Sequence, residues 1–215
     1  MTTNRSSEEF EMRRCIEAWG RQMWPGARLV HELVVAQTRR IDMAFIGRDY
    51  LVGVEIKSSR DTLDRLKDQI RVFRQHIPLV LVALAPKWKN DAVRYVGWTD
   101  LFEVEPGAVH PVRGHSYYRQ DRRITVQMLD LLWAEELRSV AQHVGLSAPT
   151  RTTMVGNIGN IAHHATGAAI VREVCRALRA RDAFPKNPKH PPSDPPVLCG
   201  AESPSPVCPE RKADA

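Results

Sequence analysis

Asp42 stands between Ile41 and Met43 in the run RRIDMAFI, and Glu55 and Lys57 flank Ile56 in YLVGVEIK. All three charges interrupt segments that are otherwise largely apolar. Side chains at i and i+2 of a strand leave the same face, so Glu55 and Lys57 would point together. If 39–46 and 50–57 pair as a hairpin through Gly47-Arg48-Asp49, Asp42 comes to lie on the neighbouring strand near Glu55. Burying two carboxylates beside a lysine is unfavourable unless a cation or a charged substrate compensates. With the carbonyl of Ile56, the two carboxylates form a hard-oxygen set suited to Mg2+ or Mn2+. An ion held there would polarise a phosphodiester and acidify a water, while Lys57 would orient that water or stabilise the pentacovalent charge. The rival reading of these residues is a structural ion-pair network at a sheet end.

The elements that must position these side chains follow from periodicity. Residues 7–23 read as an amphipathic helix with Phe10, Cys15, Ile16 and Trp19 near one stripe, stopped by Pro25-Gly26. Extended segments follow at 28–36, 39–46 and 50–57. A helix is expected at 61–76, with Leu63, Leu66, Ile70 and Phe73 on one stripe, Asp61 near its cap and Pro78 closing it. The unbroken apolar run LVLVALA at 79–85 has the pattern of a strand covered on both faces. A further strand is expected at 93–98. After residue 106 the chain becomes a polar connection rich in Arg and Tyr, including Tyr117, Tyr118 and Arg119, and then helical at 125–144, 150–164 and 167–181. Trp88, Trp98 and Trp133 sit among apolar neighbours and read as core, and His143, His163 and His164 as satisfied or surface residues.

Asp42, then Glu55-Ile56-Lys57 ahead of an amphipathic helix, resembles the PD-(D/E)XK nuclease superfamily, and Gln69-x-x-x-Phe73 is similar to the QxxxY element of its RecB-like branch. The wider pattern HELVV, RRIDMAFI, GVEIKSSRDTLDRLKDQIRVF and LLWAEEL is similar to a family of bacterial and phage proteins within that superfamily. Two departures stand out: Ile41 replaces the proline before the first acidic residue, and Phe73 replaces tyrosine. The resemblance implies catalytic roles for Asp42, Glu55 and Lys57 and a metal held by Asp42, Glu55 and the Ile56 carbonyl. It also implies one more acidic ligand, for which Glu32, Glu17 and Glu9 are candidates. Glu32 is favoured because a carboxylate in an apolar strand again needs a partner. On the expected second helix, Asp61, Arg65 and Gln69 recur at i, i+4 and i+8, so Gln69 would face the metal and Arg65 or Arg60 a phosphate.

The fold class expected is therefore α/β: a restriction-endonuclease-like αβββαβ core with a mixed sheet over 1–105, a helical C-terminal subdomain over 106–182, and a disordered tail over 183–215. Nine of the 15 prolines fall after Phe184, in a stretch poor in aromatic and β-branched residues. The tail is charge-neutral, so the net +6 belongs to the first 182 residues and, being modest, only slightly favours a polyanionic partner. The expected partner is DNA, with RNA as the alternative substrate and a homodimer as an option. No apolar run approaches the roughly 18 residues of a membrane span, and the start is not a secretory signal. Four scattered cysteines without a CxxC pair suit a reducing cytoplasm, and Cys199 with Cys208 lacks two further ligands for a zinc site. The competing function is a nucleic-acid-binding accessory protein without catalysis on the same fold.

Overall fold

The computed structural model describes residues 7–36, 39–114, 122–149 and 151–181. The Tyr117–Arg119 segment, the expected tail at 183–215 and its Cys199 and Cys208 lie outside the described residues. Six strands form one sheet in sequential order: β1 (Arg28–Val35), β2 (Arg39–Ile46), β3 (Leu51–Lys57), β4 (Leu79–Leu84), β5 (Asp100–Glu105) and β6 (Ala108–Arg113). β3, β4 and β5 run parallel, whereas β1–β2, β2–β3 and β5–β6 are antiparallel. With α1 (Ser7–Met23) ahead of β1 and α2 (Leu66–His76) between β3 and β4, the expected α/β class and αβββαβ order are present, on a mixed sheet.

The side-chain alternation of β4 explains the layering. Val80, Val82 and Leu84 enter one core with Leu66, Ile70 and Phe73 of α2, while Leu81, Ala83 and Ala85 enter a second with Met12, Cys15 and Ile16 of α1. The sheet is thus covered on both faces, as the unbroken apolar run requires. The first core extends into the C-terminal helices α3 (Arg122–Gln127), α4 (Ala134–His143), α5 (Met154–His164) and α6 (Gly167–Ala180), through Leu137, Val140, Ile161, Ile170 and Leu178 among others.

Several elements differ from expectation. Residues 93–98 are not a strand: a 3-10 turn at Ala92–Arg94 leads to Gly97 at φ 55, and the strand begins at Asp100. The charges of Asp100 and Glu103 hide β5 from an apolar-run search, although Phe102 and Val104 share the α1 face and Leu101 faces the opposite core, as a strand requires. β6 arises inside the stretch read as a polar connection, paired to β5 across Gly107 at φ 81. The helix expected from 61 begins at Leu66. Asp61 instead accepts the Ser58 N–H and Oγ, each at 2.8 Å, and closes a turn after β3. The stretch 125–144 breaks at Trp133, whose N–H donates to Glu136 at 2.7 Å and starts α4 anew. Trp98 and Trp133 are not core, being 75% and 53% exposed; Trp88 packs against both cores. Phe10 lies at the surface, and α1 buries Met12, Arg13, Cys15, Ile16 and Gly20 instead. His143, His163 and His164 are exposed. Among the described residues, no helix is long and apolar enough to cross a membrane.

The close approach of α1 to the sheet depends on Gly20. A Cβ there would lie 2.1 Å from Cζ of Phe45, a ring that is itself 1% exposed and packed against Trp24. Gly20→Ala is expected to lower stability by about 1–3 kcal/mol through overpacking, despite alanine's better helix propensity. An unchanged urea midpoint would show that α1 is less tightly seated than its packing indicates.

Candidate functional site

The ladder between β2 and β3 is registered from Ile46↔Leu51 to Met43↔Val54. At the next position the carboxylate of Asp42 takes the place of a ladder acceptor: its Oδ2 accepts the Ile56 N–H at 2.8 Å. A residue's N–H and C=O leave the same edge of a strand, so the Ile56 carbonyl also faces β2. The carbonyl of Lys57 faces β4, accepting the Ala85 N–H at 2.8 Å. This fixes the geometry expected from the sequence, with Asp42, the Ile56 backbone and Glu55 at one strand end.

Every residue of β3 is buried, so Glu55 and Lys57 are carried into the interior on the α2 side. Lys57 Nζ lies 2.9 Å from Glu55 Oε1 and 3.0 Å from Gln69 Oε1, while Gln69 Nε2 donates to Glu55 Oε1 at 2.5 Å. The amide of Gln69 thus closes a triangle that holds the lysine and the carboxyl group in fixed orientation. Among the described residues Glu55 Oε2 is buried with no hydrogen-bond donor, and the Asp42 carboxylate lies close enough to share a proton with Glu55. Burial, first, and the neighbouring Asp42 carboxylate, second, push the Glu55 pKa up to about 8, against the opposing pull of Lys57.

Arg13 is the member that the sequence reading missed. Only 3% exposed, it donates to Asp42 Oδ1 at 2.6 Å, to the Asp42 carbonyl at 2.9 Å, to Glu32 Oε1 at 3.2 Å and to Glu9 Oε1 at 3.1 Å. Burial works against its charge, but Asp42, Glu9 and Glu32 together hold its pKa above the ordinary value. A signal existed in the sequence. Arg13, Ile16 and Gly20 recur at i, i+3 and i+7, so a cation sits on the buried stripe of α1. Glu32 faces Asp42 between the registered pairs His31↔Met43 and Leu33↔Ile41, at φ 58. That left-handed conformation costs a non-glycine residue about 1–3 kcal/mol and is found where surrounding structure enforces it.

Of the other candidates, Glu9 joins the cluster through Arg13, whereas Glu17 pairs with Arg21 at 2.7 Å along α1. Arg60 and Arg65 are exposed and, among the described residues, no ion pair ties either to the cluster. Because α2 starts at Leu66, Asp61 lies outside the helix, contrary to expectation, whereas Arg65 caps it one turn before Gln69, whose N–H donates to the Arg65 carbonyl at 2.9 Å. Among the described residues, no group of three or more His, Cys, Asp or Glu side chains is arranged to hold a metal ion. A cation at this strand end would rest on Asp42, Glu55 and the Ile56 carbonyl, with Glu32 linked through the guanidinium. The orphaned Glu55 oxygen and the hard-oxygen donor set fit that use.

A mixed α/β protein with a buried, charged strand end is the class that fold and site define. The chain matches the family of bacteriophage P4 protein cII over residues 6–186 and belongs to that family. Over 84 residues it is 36% identical to protein cII of Enterobacteria phage P4, covering 39% of this chain and 31% of the phage protein, well under two thirds of that relative's length. It is also similar to a solved protein of unknown function from Silicibacter pomeroyi, at 15% identity and a TM-score of 0.45, covering 68% of this chain and 98% of that one.

The raised Glu55 pKa has a consequence for stability. The unfolded chain loses this proton near 4.5 and the folded one near about 8, so folding retains a proton across that window. Stability from this group is therefore full below the lower value and is lost as pH rises through the upper one. Glu55→Gln, which cannot titrate, is expected to gain on the wild type steadily as pH rises across the window, in urea melts without metal. A gap that is constant with pH would contradict the assignment.

Proposed function

We propose that this protein is a divalent-metal-dependent nuclease that hydrolyses phosphodiester bonds in nucleic acid, with DNA the expected substrate and RNA the alternative, on a PD-(D/E)XK arrangement. The observation that carries the reading is the buried Glu55 carboxyl, one oxygen without a partner, fixed beside Asp42 and Lys57 at a strand end. A purely structural ion-pair network gains nothing from a carboxyl group buried so deeply that it holds its proton to about pH 8 and lacks a donor on one oxygen. Asp42, Glu55 and the Ile56 carbonyl would hold Mg2+ or Mn2+, with Glu32 as the additional carboxylate. When bound, such an ion supplies Lewis acidity to a phosphoryl oxygen and lowers the pKa of a coordinated water.

The chain's own residues do the rest. Lys57, with three donors and only one held by Glu55 and another by Gln69, keeps one N–H to orient the attacking water or to meet charge developing on the phosphorane. Gln69 is a positioning residue that fixes both partners. Asp42 keeps a second lone pair on each oxygen beyond the donors Arg13 and Ile56. The net charge of +6 favours a polyanionic substrate.

A second reading is supported by Arg13, whose guanidinium already neutralises Asp42 and Glu32 without any metal. In that case the protein is a non-catalytic accessory that binds nucleic acid, and binding would fall steeply with salt but need no divalent ion.

Purified protein with circular single-stranded and supercoiled double-stranded DNA, in Mg2+, Mn2+ or EDTA, separates the two. Metal-dependent cutting is expected, and Lys57→Ala or Asp42→Ala should lower it by about a hundredfold or more with folding retained. Cutting by Asp42→Ala at the wild-type rate would sink the nuclease reading. Binding without cutting by either protein would favour the accessory role.

A further inference from the structure

The turn that follows Lys57 is fastened from three sides. Asp61 accepts the Ser58 N–H and Oγ, Trp88 Nε1 donates to the Ser58 carbonyl at 2.9 Å, and Lys87 Nζ donates to the Ser59 carbonyl at 2.8 Å. Lys87 also lies 4.2 Å above the Trp88 ring. So held, the turn brings the Ser59 N–H and Oγ together on one partner. Both donate to one carboxylate, that of Glu8 in the first turn of α1. The N–H lies 3.1 Å from each carboxylate oxygen, and the hydroxyl donates to Oε2. A backbone N–H and a hydroxyl converging on a two-oxygen anion is the donor pattern that phosphate oxygens also accept.

We propose that the Ser59 N–H and Oγ form a phosphate-binding subsite for the nucleic-acid strand, and that Glu8 occupies it in the free protein as an internal anion. The inference rests on the reading of Asp42, Glu55 and Lys57 as a phosphodiester site. Ser59 lies two residues from Lys57, a span of at most about 7 Å, so a phosphate next to the one at Lys57 is within reach. Exposed Lys87 and Arg60 flank Ser59 and add positive charge. Strand binding then displaces Glu8, and the first turn of α1 must release the loop. The subsite is closed to weak or short ligands and opened by a strand that also engages the neighbouring centre.

The test is anisotropy of a labelled single-stranded oligonucleotide in EDTA, which reports binding without cleavage. The proteins compared are the wild type, Glu8→Ala, Ser59→Ala and the double variant, with Glu11→Ala as the control. Glu11 lies on the same helix with 46% of its side chain exposed, and its removal deletes the same charge away from the loop. Glu8→Ala is expected to tighten binding about tenfold, and Ser59→Ala to remove most of that gain. Glu11→Ala should change it less than about threefold. If Glu8→Ala does not fold, Glu8→Gln removes the charge with the shape kept. Equal gains from Glu8→Ala and Glu11→Ala, or a Glu8→Ala gain undiminished by Ser59→Ala, would overturn the subsite. So would no binding by any variant. The nuclease reading is decided separately, by metal-dependent cleavage that requires Lys57.

Discussion

A carboxyl group 2% exposed, delivered by a strand buried along its whole length, is the constraint around which this molecule is arranged. Glu55 cannot turn to water, because α2 and the C-terminal helices cover its face of the sheet. Its environment must therefore supply donors, and it does so unevenly: Lys57 and Gln69 both reach Oε1, and among the described residues no donor reaches Oε2. The group answers by keeping its proton to about pH 8. Gln69 is placed by the apolar stripe of α2, where Leu66, Ile70 and Phe73 fix the helix rotation. Packing of the core thus sets the orientation of the polar triangle.

The second dependence runs through α1. Its apolar residues dock on the opposite face of the sheet, and that docking brings Arg13 around the end of β2 to Asp42 and Glu32. The desolvation cost of the buried guanidinium is offset by three carboxylates, and removal of Arg13 would leave those three without their shared counter-ion. The strained backbone of Glu32 is consistent with a side chain enforced at this position. One helix therefore governs both the acidic strand end, through Arg13, and the loop beyond Lys57, through Glu8.

Much of this was legible in the sequence because it depends on local pattern. Charges breaking apolar strands at 42, 55 and 57 announced the site, and the alternating apolar runs announced the sheet. The structure joins Glu55, Lys57 and Gln69, and sets Asp42 against the Ile56 backbone. What stayed hidden depends on tertiary context. β5 carries charges that break its pattern, and VRYVGW imitates a strand although Gly97 turns the chain there. Arg13 reads as one more surface cation until the docking of α1 is known. The turn at 58–65 resembles a helical start, because a side-chain cap from Asp61 serves a tight turn as well as a helix.

If the buried Glu55 carboxyl and Asp42 receive a divalent cation, that ion is countable without any substrate. Titration of Mn2+ followed by electron paramagnetic resonance tests it most directly, on the wild type and on Asp42→Asn, independently of any substrate. One saturable site is expected in the wild type, strongly weakened in the variant. No saturable binding, or equal binding by both proteins, would contradict it and leave Arg13 and Lys57 as the counter-ions of the cluster.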